Sequence, residues 1–128
     1  MNAPPSTVRE YDVAARTTDV FGRVLVSART HHFIVDGPVQ NRCPGEEVTP
    51  PELFLTSVAA CGVELVQVIA DDTKVPIGPV TVKVHGVVDR ARQARTDVTV
   101  FNSVQLEFTI RGTDGASAAT LVEAFKRR

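Results

Sequence analysis

The chain has 128 residues and a formal net charge of −1, with no long run of one sign, which excludes a polybasic surface for nucleic acid or membrane. Hydrophobic residues at 43% and charged residues at 23% are ordinary for one globular domain large enough to bury a core. Two cysteines and no CxxC exclude a disulfide-stapled framework, so a role for either would rest on thiol reactivity.

Met1–Val8 (MNAPPSTV) is polar, carries two prolines and is expected to be flexible. It lacks a basic stretch followed by an apolar run, so no signal peptide is expected and a cytoplasmic location follows by default. Val8–Arg16 and Arg23–Ala28 read as strands flanking a turn-like Thr17–Gly22, and His31–Asp36 is a third run of β-formers. Gly37–Val48, with Gly and Pro at its ends, reads as a loop.

Thr49-Pro50-Pro51-Glu52 opens a helix. Thr stands at the N-cap, Pro at the first helical position and Glu at the third, which is a capping box with a proline start. The helix is predicted from Pro50 to about Asp71. After its first turn the only polar residues are Thr56, Ser57, Glu64 and Gln67, so its apolar side chains point almost all round. A helix with no polar face is expected to be buried. No stretch reads as the roughly 18 apolar residues of a membrane span. One chain leaves part of such a helix bare, which predicts a dimer whose partner covers the rest.

Asp71–Pro79 is a turn. Val80–Asp89 alternates, with Val80, Val82, Val84 and Val88 on one face and Thr81, Lys83, His85 and Asp89 on the other. Arg90–Asp97 is a charged hairpin connection. Val98–Arg111 alternates again through Val104, Leu106, Phe108 and Ile110, giving two half-buried antiparallel strands. Gly112–Gly115 turns the chain into a second helix, Ala116–Arg128, with a basic last turn as the helix dipole prefers. Strands in runs with segregated helices give the α+β class.

The segment Thr49–Ala70 (TPPELFLTSVAACGVELVQVIA) has a Pro-x-Glu-Leu start followed by small residues and Ala-Ala-Cys. With HHFIVDGP before it, KVPIGPVTVKVHGVVDR after it and LVEAFKRR at the end, it resembles the osmotically inducible protein C / organic hydroperoxide resistance family, in its OsmC-like subgroup. The resemblance covers roughly Val20 to Arg128. It implies antiparallel sheets around a central helix in an intertwined homodimer. It also implies a thiol-dependent peroxidase that reduces organic hydroperoxides or hydrogen peroxide in oxidative stress defence. An external thiol would be the reductant, with no cofactor, metal, nucleic acid or membrane. Carried over, Cys61 is the peroxidatic position.

Three departures stand out. The family's resolving Cys-Pro would begin where this sequence ends, at Arg128, so its last strand is expected to be missing. Pro51 stands where the efficient peroxidases have Glu, and Glu52 falls one later. Those peroxidases hold the thiolate with an Arg from an early strand turn; Arg23 is the candidate here, with Arg16 and Arg29 as alternatives.

The chemistry needs a thiolate, and Cys61 lies about three turns into its helix, too far for the N-terminal dipole to help. A cation or donor must come from elsewhere. Its own stripe offers Ser57 as a donor and Glu64 as a like-charge neighbour. Without the resemblance, Cys61 reads as a small core hydrophobe. Cys43, in an expectedly exposed Cys-Pro-Gly loop, is either a substitute resolving thiol or incidental. Glu52 is better explained by capping than as a catalytic base. His31 and His32 are adjacent on a strand and point to opposite faces, which argues against a shared metal with Cys43. The alternative function is a non-catalytic dimer binding a small apolar or thiol-reactive ligand.

Overall fold

A computed structural model describes residues Ser6–Arg128. The expectation for the first eight residues lies outside the described residues up to Pro5; Ser6–Val8 form no regular structure. The elements are β1 (Val13–Thr17), β2 (Arg23–Ala28), β3 (His31–Asp36), α1 (Pro50–Asp72), β4 (Val80–Val87), β5 (Ser103–Ile110) and α2 (Gly115–Phe125). The class is α+β, as expected. The chain divides into two compact units, one ending at Glu52 and one from Leu53 to Arg128.

The first unit is a three-stranded antiparallel sheet in the order β1-β2-β3. β1 begins at Val13 and not at Val8, because Val13 pairs with Ala28, the last residue of β2, and earlier residues have no partner strand. The loop after β3 contains a short helical turn at Val39–Asn41 and folds back along the strand end. Asp36 N–H donates to Val48 O at 3.1 Å and Gly37 N–H to Gly22 O at 2.8 Å. Gly22 has φ +79°, which glycine adopts without strain.

The second unit is built on the β4–β5 hairpin, in register from Val80↔Ile110 to Val87↔Ser103. Its alternating burial matches the predicted in/out pattern within the two strands, whereas Val88, predicted on the inner face, is exposed and Asp89 is half-buried. β5 starts at Ser103 and not at Val98, and β4 ends at Val87 and not at Asp89. The intervening segment is held by side chains in place of a ladder. Gln93 Nε2 donates to Asp89 O at 2.9 Å and Val100 O at 3.0 Å, Val100 N–H donates to Gln93 Oε1 at 2.7 Å, and Asn102 Nδ2 donates to Arg92 O at 2.7 Å.

The core is Val66, Ile69 and Ala70 of α1 with Leu121 of α2, sealed by Val75, Ile77, Val80, Phe108, Ile110, Ala124 and Phe125. Gly62 lets α1 press on the hairpin: a Cβ there would stand 3.3 Å from the Phe108 ring and 3.4 Å from Val82.

As expected, one chain leaves part of α1 bare: one hairpin and one short helix cover one side, where Gly62, Val66, Ile69 and Ala70 are buried, while Phe54, Cys61 and Val68 are exposed. The expectation that no stretch is apolar enough for a membrane span is corrected. The 23 residues of α1, with a mean hydropathy of 1.9 over the most apolar stretch, do reach the length and apolarity of a membrane crossing, because its few polar residues average out. The face packed on the hairpin and α2 is that of a core helix.

Candidate functional site

Thr49 and Glu52 form the reciprocal half of the capping box. Glu52 Oε1 accepts from Thr49 N–H at 3.1 Å and from its hydroxyl at 2.7 Å. These bonds, the hydroxyl first, hold the Glu52 carboxyl below its ordinary range and favour the ionised form. The cap fixes where α1 begins and therefore which face carries Cys61.

Cys61 is a free, exposed thiol on a cleft of about 570 Å³. The cleft is lined by Ser57, Val58 and Leu65 from the same helix, by Phe125 at the end of α2, and by Lys126 and Arg128 just beyond it. The second helix ends at Phe125 and not at Arg128, so the expected basic last turn lies past the helix. Ser57 belongs to the stripe read from the sequence, and Val58 and Leu65 stand with it at helical spacing from Cys61. Ser57 does not serve the thiol: its hydroxyl donates to Phe54 O at 2.6 Å, within its own helix. Phe125 is braced edge-on by Phe108, ring centres 5.4 Å apart at 61°. Asp114 sets the start of α2 by accepting from Ser117 N–H at 2.7 Å, a cap the sequence reading placed inside a turn.

Sequence reasoning missed the three residues at the end of α2 and just beyond it. The basic run Lys126–Arg128 was visible, but its place against Cys61 depends on how α2 packs on α1. The signal was the apolar spacing of Leu121, Ala124 and Phe125, which turns the helix's inner face toward the core.

In the first unit, Arg23 is held by carboxylates. It donates from Nε to Asp36 Oδ1 at 2.8 Å, from Nη2 to Asp36 Oδ2 at 2.9 Å and from Nη2 to Glu46 Oε1 at 3.3 Å. Asp36 is fully buried, and its Oδ2 also accepts from Glu46 and Glu47 N–H at 3.0 and 2.9 Å. The Arg23 hydrogen bonds hold the Asp36 carboxyl well below the usual carboxylate range, helped by the two backbone N–H groups and opposed by desolvation. Asp36 in turn raises the pKa of Arg23. Of the alternatives, Arg16 lies in β1 opposite Leu25, and Arg29 sits in the β2–β3 turn with φ 55°.

Cys43 is half-buried, not exposed as expected. Its Sγ is wedged between Gly22 and Gly37, where a Cβ on either glycine would fall well inside contact distance. His32 Nδ1 lies 2.7 Å from Ser27 Oγ across the β2–β3 pair.

The fold is that of known solved structures. The OsmC like protein from Mycoplasma pneumoniae superposes with a TM-score of 0.78 at 14% identity, over 94% of this chain and 82% of that one. An organic hydroperoxide resistance protein from Elizabethkingia anophelis gives 0.76 at 17% identity, over 96% and 85%. An organic hydroperoxide resistance protein OsmC from Legionella pneumophila gives 0.75 at 18%, over 95% and 85%. At these identities the likeness is one of fold. Comparison with curated proteins returns no match. The family model described as OsmC-like protein matches residues 43–128, a span that holds α1, the hairpin, α2 and the Cys61 cleft, and the chain belongs to that family.

Proposed function

We propose that the protein is a thiol-dependent peroxidase acting on organic hydroperoxides or hydrogen peroxide, working as a homodimer. The observation that carries this reading is Cys61: an exposed thiol opening on a cleft whose walls, Val58, Leu65 and Phe125, are apolar. Such walls suit the organic part of a hydroperoxide. Organic hydroperoxide resistance proteins among the structures of like fold support the same chemistry.

The Cys61 thiolate attacks the terminal peroxide oxygen. An S–O bond forms, the O–O bond breaks, and its electron pair leaves on the alkoxide, which takes a proton to become the alcohol, or water from hydrogen peroxide. Cys61 is oxidised to the sulfenic acid and the peroxide is reduced by two electrons. An external thiol then condenses with the sulfenic acid, releasing water and a mixed disulfide, and a second thiol displaces Cys61.

The test is consumption of an organic hydroperoxide with a dithiol reductant. Wild-type protein turns over and Cys61→Ser does not. Equal consumption by both would refute the peroxidase reading and leave the cleft as a binding site for a small apolar or thiol-reactive molecule.

A further inference from the structure

We infer that the positive charge holding Cys61 as a thiolate comes from the residues that follow the C-terminal end of α2, with Lys126 and Arg128 as positioning residues for the sulfur. The inference rests on Cys61 being the reacting group. It follows from which charges border the cleft. The N-terminus of α1 is about 16 Å away along the helix axis, beyond useful reach of its dipole. The Ser57 proton is committed to Phe54 O. Arg23 already has Asp36 and Glu46 as counter-charges.

The charged residues lining the cleft are Lys126 and Arg128, both cations. Each has an acidic neighbour outside the lining: Lys126 Nζ is 2.8 Å from Glu123 Oε1, and Arg128 Nη2 is 3.7 Å from Asp72 Oδ2. All four side chains are at least about half exposed, and ion pairs of that kind are weak and exchange readily with solvent. A thiolate at Cys61 is an anion that competes with Glu123 and Asp72 for the two cations bordering its cleft. Glu64, exposed on the next turn of α1, is the charge that opposes this arrangement.

The experiment measures the rate of iodoacetamide alkylation at Cys61, followed by peptide mass, between about pH 5 and 10. The Lys126→Met/Arg128→Met double variant is expected to react about tenfold more slowly than wild type at pH 7, with the midpoint of its profile about one pH unit higher. The charge-conserving Lys126→Arg/Arg128→Lys pair should keep the wild-type profile, and Glu64→Gln should react faster. Superposed profiles for wild type and the Met pair would overturn the inference, as would a charge-conserving pair that behaves like the Met pair. Should the Met pair not fold, an unchanged rate in Glu64→Gln overturns it. Peroxide consumption is followed in the same samples. Cys61-dependent turnover with an unmoved profile sinks the inference alone, whereas a moved profile without turnover sinks the peroxidase reading alone.

Discussion

Arg23 grips Asp36 through two parallel hydrogen bonds, Nε to Oδ1 at 2.8 Å and Nη2 to Oδ2 at 2.9 Å, and the carboxylate it holds is fully buried. The pair joins the first residue of β2 to the last of β3. Through Glu46 and Glu47 N–H it also pins the loop that carries Cys43. Removing one partner of a buried pair leaves the other charge uncompensated.

The pH consequence has a definite sign. Asp36 is depressed below its ordinary 3.8, so the unfolded chain binds its proton first as pH falls. The stability it contributes is complete above about pH 5 and is lost progressively below about 4. Glu52, Asp114 and Glu123 are lowered as well and act in the same direction. Thermal melts should therefore be flat in Tm between about pH 5 and 7 and drop below about 4. Asp36→Asn should lower Tm at pH 7 by about 5 °C or more and flatten the acid drop without abolishing it. A variant whose acid limb is as steep as wild type would assign that limb to other groups.

Val66 is fully buried at the centre of the α1–α2 core. Val66→Ala removes two methyl groups from a site closed by the hairpin, and urea unfolding should show a loss of about 2 kcal/mol. Gly86 tests the other end of the hairpin. An added Cβ would lie 2.7 Å from Phe101 Cε1 and 3.0 Å from both Leu55 methyls. Phe101 stacks on Phe54 with ring centres 5.4 Å apart, so it cannot retreat without breaking that stack. Gly86→Ala should cost about 1–3 kcal/mol; a neutral result would show that the Phe101 segment yields easily.

Local signals were legible in the sequence, and long-range ones were not. Thr49 and Glu52 announced the start of α1 because a capping box is a contact between residues three apart. The alternation Val80–Val82–Val84 and Val104–Leu106–Phe108 announced the hairpin because its period is set by the pleat. Asp36 looked like the end of a strand; its burial depends on Arg23, thirteen residues earlier, and on a loop folding back. Val98 and Val100 continued the strand pattern by composition, yet Gln93 and Asn102 take up the hydrogen bonds a strand partner would have used. Cys61 was found through a local motif. Its neighbours Phe125, Lys126 and Arg128 were hidden because they come from the end of a helix and the residues just past it, which close the cleft only after packing.

The exposed side of α1 bears on assembly. Phe54 is 53% exposed and Val68 38%, on the helix that carries Cys61, and the single chain buries few large side chains. Apolar surface of this extent on a core helix marks an interaction face, which the proposed homodimer would cover. Light scattering should give twice the 13.8 kDa of one chain, and Val68→Glu should shift the population toward the monomer and lower Tm. A wild-type protein that remains monomeric at micromolar concentration would refute the homodimer.

Cys43 provides the last test. A resolving thiol must reach a sulfenic acid, and so must be free to move. Cys43 Sγ is packed between Gly22 and Gly37, and its weak S–H donates to Asn41 O at 3.5 Å. Freeing it would open the loop that Asp36 holds through Glu46 and Glu47. The thiol is therefore placed as a small packing group, and the proposed cycle assigns the resolving step to an external thiol. With one equivalent of hydroperoxide and no reductant, intact mass should show a single added oxygen located at Cys61. Cys43→Ser should keep turnover with a dithiol within about twofold of wild type, because serine fits the same space. A product two hydrogens lighter, with Cys43 linked to Cys61, would show instead that the loop opens during the cycle and that Cys43 is the second thiol.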